Sequence, residues 1–191
     1  KLQIAATDAN GGHQVPIYVT EFGWPTGNNN CSIDPVASGD YTAQFLLYSA
    51  ARPWVMGAWY YELKNATLNA ADMESNFGLY DVDYTPKPSV CRMTEAVGLI
   101  REATAMTVDR LGNDIFITML RTPTGIKAVV WTSQSNQNAY VMVGGTAPFS
   151  ARPMCQMNNT VVSGRKVEFS RHPIIIDIPS VYSAAFQLNG L

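Results

Sequence analysis

Charge is scarce in this chain. Only 15% of the 191 residues are charged, and 13 Lys and Arg against 15 Asp and Glu leave a formal net charge of −2. The basic residues are scattered rather than clustered, which argues against nucleic acid or an anionic membrane surface as partner. Long apolar runs are missing too. None approaches the roughly 20 residues that a membrane span needs. The opening "KLQIAATDANGG" has no signal-peptide layout and is expected to be the interior of a longer polypeptide. Cysteine is limited to Cys31, Cys91 and Cys155, enough for one disulfide at most. Cys31 and Cys91 are one possible pair, which spacing alone does not establish. Neither a zinc-type His/Cys spacing nor a Gly-rich phosphate loop occurs, so no metal and no organic cofactor is expected.

What is present falls into two rhythms. Up to about residue 104, helix-like and strand-like stretches alternate; from about residue 105 the pattern is almost all strand. "LQIAATDAN" reads as the last turns of a helix stopped by Gly11 and Gly12. Val15 to Thr20 has the near-continuous apolarity of a strand buried on both faces. In "VASGDYTAQFLLYSAAR" the residues Tyr41, Phe45 and Tyr48 recur at helical spacing, with Ser38 or Asp40 as the cap and Pro53 beyond the end. "WVMGAWYYEL" is a second buried-type strand, and Ser89 to Ala103 a third helix. This order implies parallel strands joined by crossovers, an α/β layout. Two strands do not make a stable sheet, so this region is expected to pair with protein outside the sequence.

The second region carries "DIFITMLR", "GIKAVVWTS", "AYVMVGG", "RKVEFS" and "PIIIDI" between turn-rich segments. Short strands at regular intervals predict a small antiparallel β-sandwich. No catalytic constellation stands out there, and a supporting role is expected. The division is then 1–104 and 105–191.

Both predicted parallel strands finish on a carboxylate, Glu21 in "VPIYVTEFGWPTG" and Glu62 in "WYYEL". The carboxyl ends of such strands are where an α/β barrel places its functional groups. A carboxylate flanked by Phe22 and Trp24 suits nucleophilic or acid–base work. Trp24, Trp59, Tyr60 and Tyr61 offer flat apolar faces beside polar groups such as Asn65, a combination that matches the faces and hydroxyl edges of sugar rings. His13 and His172 fall in loop-like stretches and are expected at the surface; Asp72 and Glu74 are expected to be solvated or to shape the cleft.

"VPIYVTEFGWPT", followed by a helix and then by "VMGAWYYELKN" and "NFGLYDVDYTPKPS", resembles the last two β/α units of retaining glycoside hydrolases built on a (β/α)8 TIM barrel, the large clan of β-glucanases and β-xylosidases. The resemblance covers residues 13–104. It implies that Glu21 is the nucleophile, that Trp59 lies against the sugar in the innermost subsite, and that Trp24, Tyr60, Glu62 and Asn65 bind substrate. It also implies a C-terminal β-domain. The acid/base of that clan follows the fourth strand, which this sequence lacks. The chain is therefore expected to be the C-terminal part of an enzyme cleaving β-glycosidic bonds in oligo- or polysaccharides by double displacement, inactive as an isolated segment. Its implied partners are a carbohydrate substrate and the missing N-terminal part of the same barrel. The competing reading is a non-catalytic carbohydrate-binding or scaffold protein. A secreted or extracytoplasmic location would suit such a substrate.

Overall fold

The computed structural model describes residues 2–112, 114–134, 138–144, 148–156, 164–179 and 188–190. A short helix α1 (Leu2–Ala9) leads into strand β1 (Ile17–Phe22), helix α2 (Pro35–Ala50), strand β2 (Val55–Tyr60) and helix α3 (Pro88–Glu102). β1 and β2 pair in parallel, Ile17 opposite Val55 and Phe22 opposite Tyr60. Eight strands follow among the described residues. They are β3 (Ala105–Leu111), β4 (Ile115–Thr122), β5 (Gly125–Thr132), β6 (Ala139–Val143), β7 (Ser150–Pro153), β8 (Lys166–Phe169), β9 (Ile174–Pro179) and β10 (Leu188–Gly190). They form a five-stranded sheet ordered β3-β4-β5-β9-β7 and a three-stranded sheet ordered β10-β6-β8, both antiparallel. The expected α/β region and all-β region are both present. β3, β7 and β10 were not anticipated, β3 because Thr107, Asp109 and Arg110 interrupt its apolar pattern.

Alternation along the five-stranded sheet sends side chains to two cores. Ile117, Ala128, Val130, Ile174, Ile176 and Ile178 pack on Val141, Val143, Val167 and Phe169 of the three-stranded sheet. The opposite parity, Leu120, Val129, Trp131 and Ile175, packs on Ala43 and Leu47 of α2 and on Ala96 and Leu99 of α3. The middle sheet is thus covered on both faces, and the helices share a core with it.

α2 starts earlier than expected. Asp34 caps it, its Oδ1 accepting from the amides of Val36 at 2.9 Å and Ala37 at 3.0 Å, with Pro35 in the first turn. Asp40 is not a cap. It is fully buried, and its carboxylate accepts from Arg92 Nε at 2.6 Å and meets His172 Nδ1. Burial of an aspartate in a helix is tolerable because partners from other elements satisfy it, Arg92 and His172 with Arg171 Nε at 3.9 Å. His172 is exposed, as expected, and also serves as a junction residue. Gly39 allows the close approach of the two helices: a Cβ there would stand 2.8 Å from Arg92 Cδ and 3.1 Å from the Pro88 carbonyl carbon.

The junction has further ties. Cys91 on α3 is bonded to Cys155 just after β7, while Cys31 is a free, exposed thiol, so the Cys31–Cys91 pairing is replaced. Glu95 pairs with Arg152 and accepts from the Cys155 amide at 2.6 Å, and Gln44 Nε2 donates to the Arg171 carbonyl at 2.7 Å. Among the described residues no helix is long and apolar enough to cross a membrane.

Candidate active site

Strand β1 turns Ile17 and Val19 toward the helices and exposes Tyr18 and Thr20 on its open face. An irregularity in the pairing between Val19 and Phe22 breaks this alternation. Phe22 consequently also faces the helices, its ring 4.4 Å from that of Phe45, and Glu21 is left exposed at the strand's carboxyl end. An extra residue in a ladder commonly re-aims a side chain in this way next to a functional site.

β2 brings its own end alongside. The Tyr61 amide donates to the Phe22 carbonyl at 2.8 Å, continuing the ladder one step past the strand. Gly23 is required at this contact, since a Cβ there would lie 2.1 Å from the Tyr61 carbonyl oxygen. The Tyr61 phenol is pushed above its usual value of 10, first by the charge of Glu62, then by burial, then by Glu74 and Glu21. Glu21 belongs to β1, Glu62 follows β2, and Glu74 opens a short 3-10 turn (Glu74–Asn76), so the charges acting on this phenol come from three separate elements. Negative neighbours disfavour the phenolate, so Tyr61 remains a hydrogen-bond donor. Glu62 Oε1 is buried and has no hydrogen-bond partner among the described residues. Such a group has desolvation to recover from a ligand hydroxyl.

The other expected site residues distribute differently. Trp59 is 54% exposed on the open face, but it leans back along the strand, its ring over Gly57 and stacked 6.4 Å from Tyr18. Tyr61 rather than Trp59 occupies the strand end. Tyr60 points to the helix side, where burial raises its phenol above 10 and the hydroxyls of Ser38, Ser89 and Thr42 oppose that shift. Trp24 packs edge-on against Phe22 and Phe45 and beside Tyr41, on the α2 side of its loop. Asn65 is buried and structural: its Oδ1 accepts from the Gly78 amide at 3.0 Å, and its Nδ2 donates to Asp81 Oδ1 at 3.3 Å. Of the six residues expected to form the site, Glu21 and Glu62 stand at or just past the carboxyl ends of the two neighbouring strands.

The organiser of the surrounding loops was not anticipated. Lys87, 7% exposed, donates from Nζ to Asn65 Oδ1 at 2.7 Å, to Thr26 Oγ1 at 2.8 Å and to the Asn76 carbonyl at 3.2 Å, with Asp81 at 3.9 Å. One ammonium thereby ties the β1–α2 loop to the β2–α3 loop that carries Tyr61, Glu62 and Glu74. Burial lowers its pKa below 10.5, and the charges of Asp81 and Glu62 oppose that shift. Its sequence signal is the "TPKPS" just before α3, a lysine held between two prolines.

No family model matches the chain, and no curated protein matches it. Solved structures do. A family 39 glycoside hydrolase from the gut symbiont Bacteroides cellulosilyticus WH2 superposes with a TM-score of 0.73 at 19% identity, covering 93% of this chain and 37% of that one. An α-amylase from Lactobacillus plantarum superposes with a TM-score of 0.50 at 12% identity, over 91% of this chain and 40% of that one. The chain thus spans well under half the length of these structures and shares the fold of part of a glycoside hydrolase.

Proposed function

We propose that this chain is the C-terminal part of a retaining glycosidase with Glu21 as nucleophile. The observation that carries the reading is the convergence at the carboxyl ends of two parallel strands: exposed Glu21 from one, Tyr61 and Glu62 from the other. The likeness in fold to a glycoside hydrolase supports it.

In this mechanism a Glu21 carboxylate oxygen attacks the anomeric carbon as the bond to the leaving oxygen breaks, and a second carboxyl group protonates that oxygen. The two carboxyl groups stand about 5–5.5 Å apart in retaining enzymes. The same acid then returns as a base, taking a proton from the water that cleaves the glycosyl ester and regenerates Glu21. We assign the second group to the remainder of the barrel, preceding residue 1. Glu62 is given substrate binding, its unpartnered Oε1 accepting from a sugar hydroxyl. Tyr61 supplies the flat face and a donor beside Glu21. The open face of β1 and β2, with Tyr18, Met56 and Trp59 exposed, is the surface that the other barrel strands would cover. In this scheme residues 105–191 form a sandwich-like accessory domain, and the enzyme acts outside the cytoplasm on β-linked glycans.

The test is removal and chemical rescue in the complete polypeptide. Glu21→Ala is expected to abolish turnover of an activated aryl β-glycoside, and azide is expected to restore it as the glycosyl azide of inverted configuration. Full activity of Glu21→Ala would overturn the assignment.

A further inference from the structure

Trp24, expected at the sugar site, lies instead in a separate groove of about 590 Å³ between α2 and the edge of the five-stranded sheet. That volume falls within the roughly 300–1,000 Å³ of small-ligand pockets. Tyr41 and Tyr48 continue the aromatic wall along one stripe of α2, and Phe116 of β4 faces them. The wall is held by its own ring contacts. Phe116 stacks on the buried Trp131 with centroids 5.6 Å apart and planes within 5°, and Tyr48 meets Phe116 edge-on at 6.1 Å. Guanidinium groups lie among these rings. Arg52 rests 4.6 Å over Tyr48 and donates to its hydroxyl at 2.9 Å, and Arg110 lies 5.4 Å over Phe116. Asp109 adds a carboxylate at the rim.

We propose that this groove is a second, non-catalytic glycan-binding site. A hydrocarbon chain or an apolar peptide face would bury the Asp109 carboxylate and the Arg52 guanidinium, which donates to the Tyr48 hydroxyl, against groups unable to hydrogen-bond them, at a cost of several kcal/mol. A sugar ring meets both requirements, its CH face against Tyr48 and its hydroxyl edge toward the guanidinium and carboxylate groups. Rings and charges held in advance leave little ordering cost on binding. The β1–α2 loop runs from Glu21 at one end to α2 at the other, so the two sites flank one loop. A polymer held in the groove raises the local concentration of its own segments at the cleft. The choice of glycans as the ligand class rests on the hydrolase reading; the groove and its preassembled wall do not.

The complete polypeptide would be run by affinity electrophoresis through gels containing neutral β-glucan, xylan or mannan, or a uronate-rich polysaccharide, as wild type and as Tyr48→Ala, Arg52→Ala and Tyr61→Ala. The expected result is retardation by at least one polysaccharide, weakened about tenfold by Tyr48→Ala and by Arg52→Ala, the scale of one lost stacking or charge-assisted contact, and retained by Tyr61→Ala. Arg52→Ala removes no core contact and guards against misfolding of Tyr48→Ala. Absence of retardation, or retardation lost only in Tyr61→Ala, overturns the proposal. So does sedimentation showing a dimer that Tyr48→Ala dissolves, which would assign the groove to a second copy of the chain. Rescue of Glu21→Ala by azide, with unchanged retardation in Tyr48→Ala, would remove the groove and keep the hydrolase. The converse pair of results would keep the groove alone.

Discussion

Replacing Lys87 with methionine tests how the site loops are held. The substitution keeps most of the buried stem and deletes three charge-assisted hydrogen bonds, to Asn65 Oδ1, Thr26 Oγ1 and the Asn76 carbonyl. Each such bond is worth about 1.5–3 kcal/mol, set against several kcal/mol for burying the ammonium. Two of the abandoned acceptors keep other donors, Asn65 Oδ1 the Gly78 amide and the Asn76 carbonyl the Thr26 amide, and Asp81 is half exposed and re-solvates. The net loss is about 2 kcal/mol, which for a chain of this size lowers Tm by about 4–8 °C. Because the folded pKa of Lys87 lies below 10.5, the unfolded chain binds that proton more tightly. Wild-type stability therefore gains on the variant as pH rises through the window just under 10.5. Thermal unfolding of both proteins from pH 8 to 10.5 measures this gap. A Tm difference under 1 °C, or a gap that narrows with pH, would refute the reasoning.

Other perturbations have equally definite outcomes. Reduction of Cys91–Cys155, which closes a separation of 64 residues, is expected to cost about 4 kcal/mol in denaturant unfolding, while native alkylation modifies Cys31 alone. Asp40→Asn leaves Arg92 and His172 facing a neutral group at a buried position and should cost about 3 kcal/mol in the same assay. Tyr60, whose pKa burial raises above 10, keeps its proton in the folded state while the unfolded chain releases it. Stability therefore falls as pH climbs past 10, and Tyr60→Phe should flatten that fall and remove one late-titrating phenol from the absorbance at 295 nm.

The parallel pair was legible because Ile17 to Thr20 and Val55 to Tyr60 are uncharged and largely apolar, and Glu21 and Glu62, just after them, interrupt a pattern that otherwise excludes charge. The choice between Trp59 and Tyr61 was not, because alternation alone does not say which aromatic passes the last ladder bond. It depends on Gly23 admitting the Tyr61 carbonyl, a contact between strands. Asp40 reads as a cap from local sequence; only Arg92, Arg171 and His172, far along the chain, make its burial affordable. The role of Lys87 depends on acceptors gathered from two loops, and the aromatic groove on β4 and β5 folding back onto α2. Tyr41, Phe45 and Tyr48 were visible as one helical stripe, but the sheet that faces them was not.

Covalent trapping tests the central claim most directly. The complete polypeptide is incubated with 2-deoxy-2-fluoro glycosides bearing activated leaving groups, then measured by intact mass and peptide mapping. Attack by the Glu21 carboxylate forms the bond to the anomeric carbon, the leaving group departs with its electron pair unaided by an acid, and the fluorine slows hydrolysis of the ester. The account predicts one adduct per chain on Glu21, with the reactive sugar naming the substrate. An adduct on another residue, or none in a protein that still binds glycans, would contradict it.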